Sequence, residues 1–60
     1  MTKRVRIENA DAADFAVVVE IWETGEGTPP VLSGTKILSN PGDMTELYIH
    51  AHQYFVIKEQ

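Results

Sequence analysis

Apolar and polar side chains alternate along most of this chain of 60 residues. Lys3 to Asn9 reads KRVRIEN. Val5 and Ile7 alternate with Arg4, Arg6 and Glu8, which predicts a strand with one buried face. Ala10 to Ala13 breaks the alternation and is too short for a helix, so a turn is expected, with Asn9 and Asp11 accepting local backbone hydrogen bonds. The next segment, Asp14 to Glu23 (DFAVVVEIWE), is apolar on both faces. Phe15, Val17, Val19 and Ile21 fall on one side of an extended chain, and Ala16, Val18 and Trp22 on the other. Its β-branched residues lose rotamer freedom in a helix, so the pattern predicts a central strand.

Thr24 to Pro30 (TGEGTPP) holds two glycines and two prolines and reads as a loop wide enough to be mobile. Val31 to Leu38 resumes an extended pattern, with Gly34 marking a bulge or a close approach of another backbone or a ligand. Asn40-Pro41-Gly42-Asp43 carries the signature of a type II turn, because Pro presets φ at the second position and Gly supplies positive φ at the third. Met44 to His50 follows as a strand with Leu47 and Ile49 inward. Gln53 to Glu59 is the last strand, with Phe55 and Ile57 inward. The short Ala51-His52 link predicts that these two form an antiparallel hairpin. The expectation is a single all-β domain over residues 1–60, an antiparallel sheet of about five strands folded as a small sandwich or open barrel.

Size alters that picture. A chain this short buries only ~60% of the surface that its unfolded form exposes, and small domains are commonly completed by disulfides, metals or self-association. Cysteine is absent, which removes disulfides and thiolate zinc sites. With one core able to use only one face of Asp14 to Glu23, the fold is expected to be completed by homo-oligomerisation, as a dimer or higher. The opening MTKRVRIENAD lacks the apolar run of a signal peptide, and no stretch reaches membrane-spanning length. A cytoplasmic location and no membrane partner are expected.

Charge is uneven. The net charge is −4, yet Lys3, Arg4 and Arg6 give residues 1–6 a charge of +3, against two basic and nine acidic residues beyond them, a net of −7. Duplex binding needs a broad basic stripe and is not expected. Arg4 and Arg6 share one strand face and are suited to clasping a compact anion. Alternatively they protect a strand edge or pair with Glu20 or Glu46.

Catalytic chemistry finds no support. Ser33 and Ser39 lie in strand and turn contexts without a strand-to-helix elbow, and the carboxylates Asp11, Asp14, Glu20 and Glu23 have no shaped pocket to separate their pKa values. His50 and His52 are spaced for a shared metal on a continuous strand, with Glu46 and Tyr48 on the same parity upstream. A hairpin turning there splays them, so surface or interface histidines are expected and no metal. The TGEGT loop has no helix after it and carries Glu26, which would repel a phosphate. No enzyme and no cofactor are expected.

Aromatic residues give the best argument for binding. Trp22, Tyr48 and Tyr54 lie on the parity opposite the inward residues of their strands, and they are expected to share a second face suited to a homodimer seam or to stacking a base. The candidate ligand site is therefore Arg4, Arg6, Trp22, Tyr48 and Tyr54, with the arginines meeting phosphates and an aromatic stacking a ring.

The succession RVRIENAD, VVVEIWETG and LSNPGDMTELYIHAHQYFVIKE resembles short uncharacterised proteins of tailed-phage and prophage genomes, which share an R-V-x-V-x-N opening and an N-P-x-D/E turn leading into a closing hairpin. The resemblance implies a small β protein of phage type and carries over no catalytic residue. It does not choose between a virion piece and a small protein that blunts a host process; with the aromatic and arginine patterns, the expectation is a non-enzymatic binding protein in the host cytoplasm, an anti-defence inhibitor that sequesters a small anionic ligand such as a nucleotide signal between subunits. A structural or accessory protein of the virion and an inhibitor of a host protein are the alternatives.

Overall fold

Five antiparallel strands and no helix make up the computed structural model, which describes residues 2–10 and 15–60. They are β1 (Lys3–Glu8), β2 (Val17–Gly25), β3 (Thr28–Leu38), β4 (Met44–Ile49) and β5 (Gln53–Glu59). The strands divide into two small sheets, a ribbon of β1 and β4 and a three-stranded sheet in the order β3-β2-β5. The fold is thus all-β, and among the described residues no helix is long and apolar enough to cross a membrane.

β2 is central, as its β-branched run predicts, with β3 on one edge and β5 on the other. It begins at Val17, so Phe15 precedes it and is exposed rather than inward. Asp11, Ala12, Ala13 and Asp14 lie outside the described residues, and with them most of the expected turn over Ala10 to Ala13. Val19 is fully buried, and among the described residues Val18 and Leu38 complete the buried apolar set. Both faces of β2 therefore contribute, through Val18 and Val19.

Two expectations are corrected. The TGEGTPP segment is not a wide loop. β2 runs on to Gly25 and pairs with Thr28, so only Glu26 and Gly27 lie between the strands, and Gly27 takes φ +70. Pro29 and Pro30 are accommodated inside β3 because it is an edge strand and its register with β2 shifts between Glu23 and Gly25, leaving neither proline paired. Secondly, β4 and β5 do not pair. Their link does reverse the chain: Gln53 N–H donates to the His50 carbonyl at 3.1 Å, and His50 N–H donates to Gln53 Oε1 at 2.9 Å. The reversal moves the chain from one sheet to the other, since β1 supplies β4 with a partner and the free edge of β2 takes β5. A local hairpin would have left one side of β2 unpaired.

Gly34 sits at a bulge, as expected. Ile21 pairs with Gly34 and Trp22 with Leu32, so Ser33 is the extra residue. The Asn40–Asp43 turn also forms as read, with Asp43 N–H donating to the Asn40 carbonyl at 3.0 Å and Gly42 at φ +87.

Asn9 ties these parts together. It is 4% exposed, and its carboxamide donates to the carbonyls of Phe15 at 3.0 Å and Leu38 at 3.2 Å. Its N–H donates to the Asp43 carbonyl at 2.9 Å, and its own carbonyl accepts from Gly42 N–H at 2.7 Å. One side chain and one peptide unit thus join the end of β1, the approach to β2, the end of β3 and the turn before β4. The side chain works here as a double donor, and its expected role as a local acceptor concerns a turn that lies outside the described residues.

The molecule is thin and extended, 41 × 22 × 12 Å. Its Cα radius of gyration of 12.7 Å exceeds the roughly 10 Å of a compact domain of this length. Its accessible surface of 4453 Å² also exceeds the roughly 3,900 Å² usual for a monomer of this mass.

Candidate functional site

The expected site divides between the two sheets. On the ribbon, alternation puts Val5, Ile7, Leu47 and Ile49 on the half-buried face and Arg4, Arg6, Glu46 and Tyr48 on the exposed one. Arg4 lies across the ladder from Tyr48, and Arg6 from Glu46. The Glu46 carboxylate sits between the two guanidinium groups, 3.4 Å from Arg4 Nε and 3.3 Å from Arg6 Nη2. All three side chains are exposed enough for water to screen them, so each pair contributes at most about 1 kcal/mol. Two arginines on one carboxylate leave a net charge of +1 beside Tyr48, which is 61% exposed.

The other half lies on β2 and β5. Trp22 and Tyr54 are direct cross-strand partners, and their rings stack at 6.4 Å between centroids with planes 6° apart. Around them the register places Leu32, Ile37 and Val56 on the same face, all of them exposed. Trp22 and Tyr54 thus share a face as expected. Tyr48 does not join them in a sheet, because it sits on the β1–β4 ribbon.

Glu20 organises the polar part of this face. Lys58 Nζ lies 3.0 Å from its Oε2, and Trp22 Nε1–H donates to its Oε1 at 3.1 Å. The Lys58 hydrogen bond first, and the indole hydrogen bond second, hold the Glu20 carboxyl below its ordinary pKa of 4.5. The indole is thereby fixed in orientation against Tyr54. Neither the Glu20–Lys58 pair nor its contact with Trp22 was evident from the sequence. Shared parity was the available signal, but it becomes readable only once β5 is known to lie beside β2.

The remaining candidates separate. Thr2 Oγ1 and His50 Nδ1 are hydrogen-bonded at 2.9 Å. His52 stands across the turn, its carbonyl accepting from the N–H and hydroxyl of Thr24 at 2.8 and 3.2 Å. Among the described residues no group of three His, Asp or Glu side chains converges as metal ligands would. Glu20 and Glu23 fall on opposite faces of β2. A depression of about 430 Å³ at the β2–β3 hairpin is lined by Thr24, Gly25, Glu26 and His52, and none of the expected site residues reaches it.

Comparison with protein families, with curated proteins and with solved structures finds no match to this chain.

Proposed function

We propose that this chain is a non-enzymatic binding protein that works as a homo-oligomer, with the Trp22–Tyr54 face of the three-stranded sheet as its binding surface. The observation that carries this reading is the placement of Leu32, Ile37, Tyr54 and Val56, all exposed, around one oriented indole. Exposed apolar side chains gathered around an oriented aromatic pair, with the Glu20–Lys58 ion pair set among them, mark interaction sites rather than ordinary solvent-facing sheet. The thin shape and the excess accessible surface support self-association in the same sense.

The more specific reading is sequestration of a small anionic ligand, such as a nucleotide, between subunits. Its support is the +1 cluster of Arg4, Arg6 and Glu46 with Tyr48 across from Arg4. The likeness of the chain's motifs to phage and prophage proteins fits an anti-defence role in the host cytoplasm and fits a virion accessory role equally. Native mass spectrometry of protein purified from bacterial lysate reads oligomer and retained ligand together. An oligomer carrying extra mass is expected, with thermal stabilisation by nucleotides that is lost in Arg4→Ala/Arg6→Ala. A bare oligomer indifferent to a broad nucleotide panel overturns the sequestration reading. Copurification with virions would then favour a structural role, and a monomer at micromolar concentration overturns self-association as well.

A further inference from the structure

The two edges of the three-stranded sheet are not alike. β3 is defended: Pro29 and Pro30 supply no N–H, and the bulge at Ser33 interrupts its run. β5 has neither device. Gln53 to Ile57 is free of proline, glycine and formal charge, and among the described residues no strand pairs with its outer side.

Which groups face that open side follows from the ladder. Thr24 N–H donates to the His52 carbonyl, and Gln60 N–H donates to the Ala16 carbonyl. Both bonds extend the β2–β5 register at even-numbered positions. In an antiparallel pair, hydrogen-bonded positions alternate with non-bonded ones. Tyr54, Val56 and Lys58 therefore direct their backbone groups to β2, and Phe55, Ile57 and Glu59 direct theirs outward.

We propose that the outer edge of β5 pairs with β5 of a second copy of this chain, antiparallel, about a two-fold axis at Val56. That register opposes Phe55 to Ile57, Tyr54 to Lys58 and Gln53 to Glu59 in both directions. Apolar residues meet apolar ones, an ammonium meets an aromatic ring, and no like charges are opposed. Ile57, 56% exposed in the single chain, gains an aromatic neighbour. This self-complementarity is what a two-fold interface requires and what identifies the occupant as the same chain. The two three-stranded sheets become one sheet of six strands with both Trp22–Tyr54 stacks on one face. The inference rests on the homo-oligomer reading and specifies its seam.

Two variants test it. Ile57→Pro removes an outward N–H without touching the β2 ladder, so the mass should fall from dimer to the 6.7 kDa monomer while the far-ultraviolet spectrum of the sheet is retained. Val56→Cys places the only thiol of the chain on the axis at a non-hydrogen-bonded pair, where Cα atoms approach to about 4.5 Å and a disulfide is reachable. Mild oxidation should then give covalent dimer quickly, and Val31→Cys on β3 should not. Slow crosslinking of Val56→Cys, no faster than the Val31→Cys control, overturns the seam even if Ile57→Pro fails to fold. A dimer that persists in folded Ile57→Pro overturns it too, leaving the homo-oligomer reading standing. A monomeric parent protein overturns both.

Discussion

Asn9 Nδ2 donates to the Leu38 carbonyl at 3.2 Å, joining the end of the ribbon to the end of the three-stranded sheet. The same nitrogen donates to Phe15, so truncation strands two carbonyls at once. Asn9→Ala is expected to destabilise the fold by about 1–3 kcal/mol. Asn9→Asp should cost more, because a carboxylate would face those carbonyls with no proton to offer. Urea unfolding of the three proteins checks the order, and a parent-like midpoint for Asn9→Asp would remove Asn9 from its place as the joint.

Gly42 and Gly27 adopt positive φ, and open space surrounds the position that a Cβ would take at each. Their substitution therefore costs backbone strain alone, about 1 kcal/mol for Ala and more for Val. Gly25 is different: its φ is unremarkable, but an added Cβ would lie 2.7 Å from Thr28 Oγ1. The destabilisation of Gly25→Ala should shrink in a Thr28→Ala background, while that of Gly42→Ala should not. Melting temperatures of the single and double variants distinguish steric from conformational cost.

The Trp22–Tyr54 stack should show coupling of about 0.5–1.5 kcal/mol in a double-mutant cycle with Leu at each position. Additive losses would mean that the rings contribute only their buried area.

Glu20 supplies a pH dependence of definite sign. Its pKa is depressed in the folded state, so the stabilisation from Lys58 and Trp22 is fully present above the ordinary value of 4.5 and is lost as pH falls through the lower folded value. Glu20→Gln should therefore be less stable than the parent at neutral pH, with the gap narrowing in acid. A gap that stays constant across that range would show that the carboxylate charge has no part in it.

Several local features were legible in the sequence for local reasons. The Asn40–Asp43 turn, the bulge beside Gly34 and the strand character of β2 each depend on residues adjacent in the chain. Pairing was legible only where parity sufficed: Arg4 and Arg6 share a face, and Glu46 is among the partners named for them. The exchange of strands between sheets was not legible. The Ala51-His52 reversal is compatible both with a hairpin and with a crossing, and the decision rests on which strands elsewhere lack a partner. For the same reason Trp22 and Tyr54 could be placed together, whereas Tyr48 was assigned to their face on parity alone. Asn9 looked like a turn residue because its buried role depends on carbonyls 6 and 29 positions away.

The interleaved pairing also fixes an order of events. Only β2 and β3 are neighbours in sequence; Lys3 pairs with Ile49, and Val17 with Glu59. β1 is separated from its partner β4 by two intervening strands. Loop closure over such spans is slow compared with forming a hairpin. The β2–β3 hairpin is therefore the natural nucleus, and β1 and β5 are expected to be captured later. Until β4 is in place β1 is expected to stay unpaired, with Lys3, Arg4 and Arg6 guarding it against the wrong neighbour.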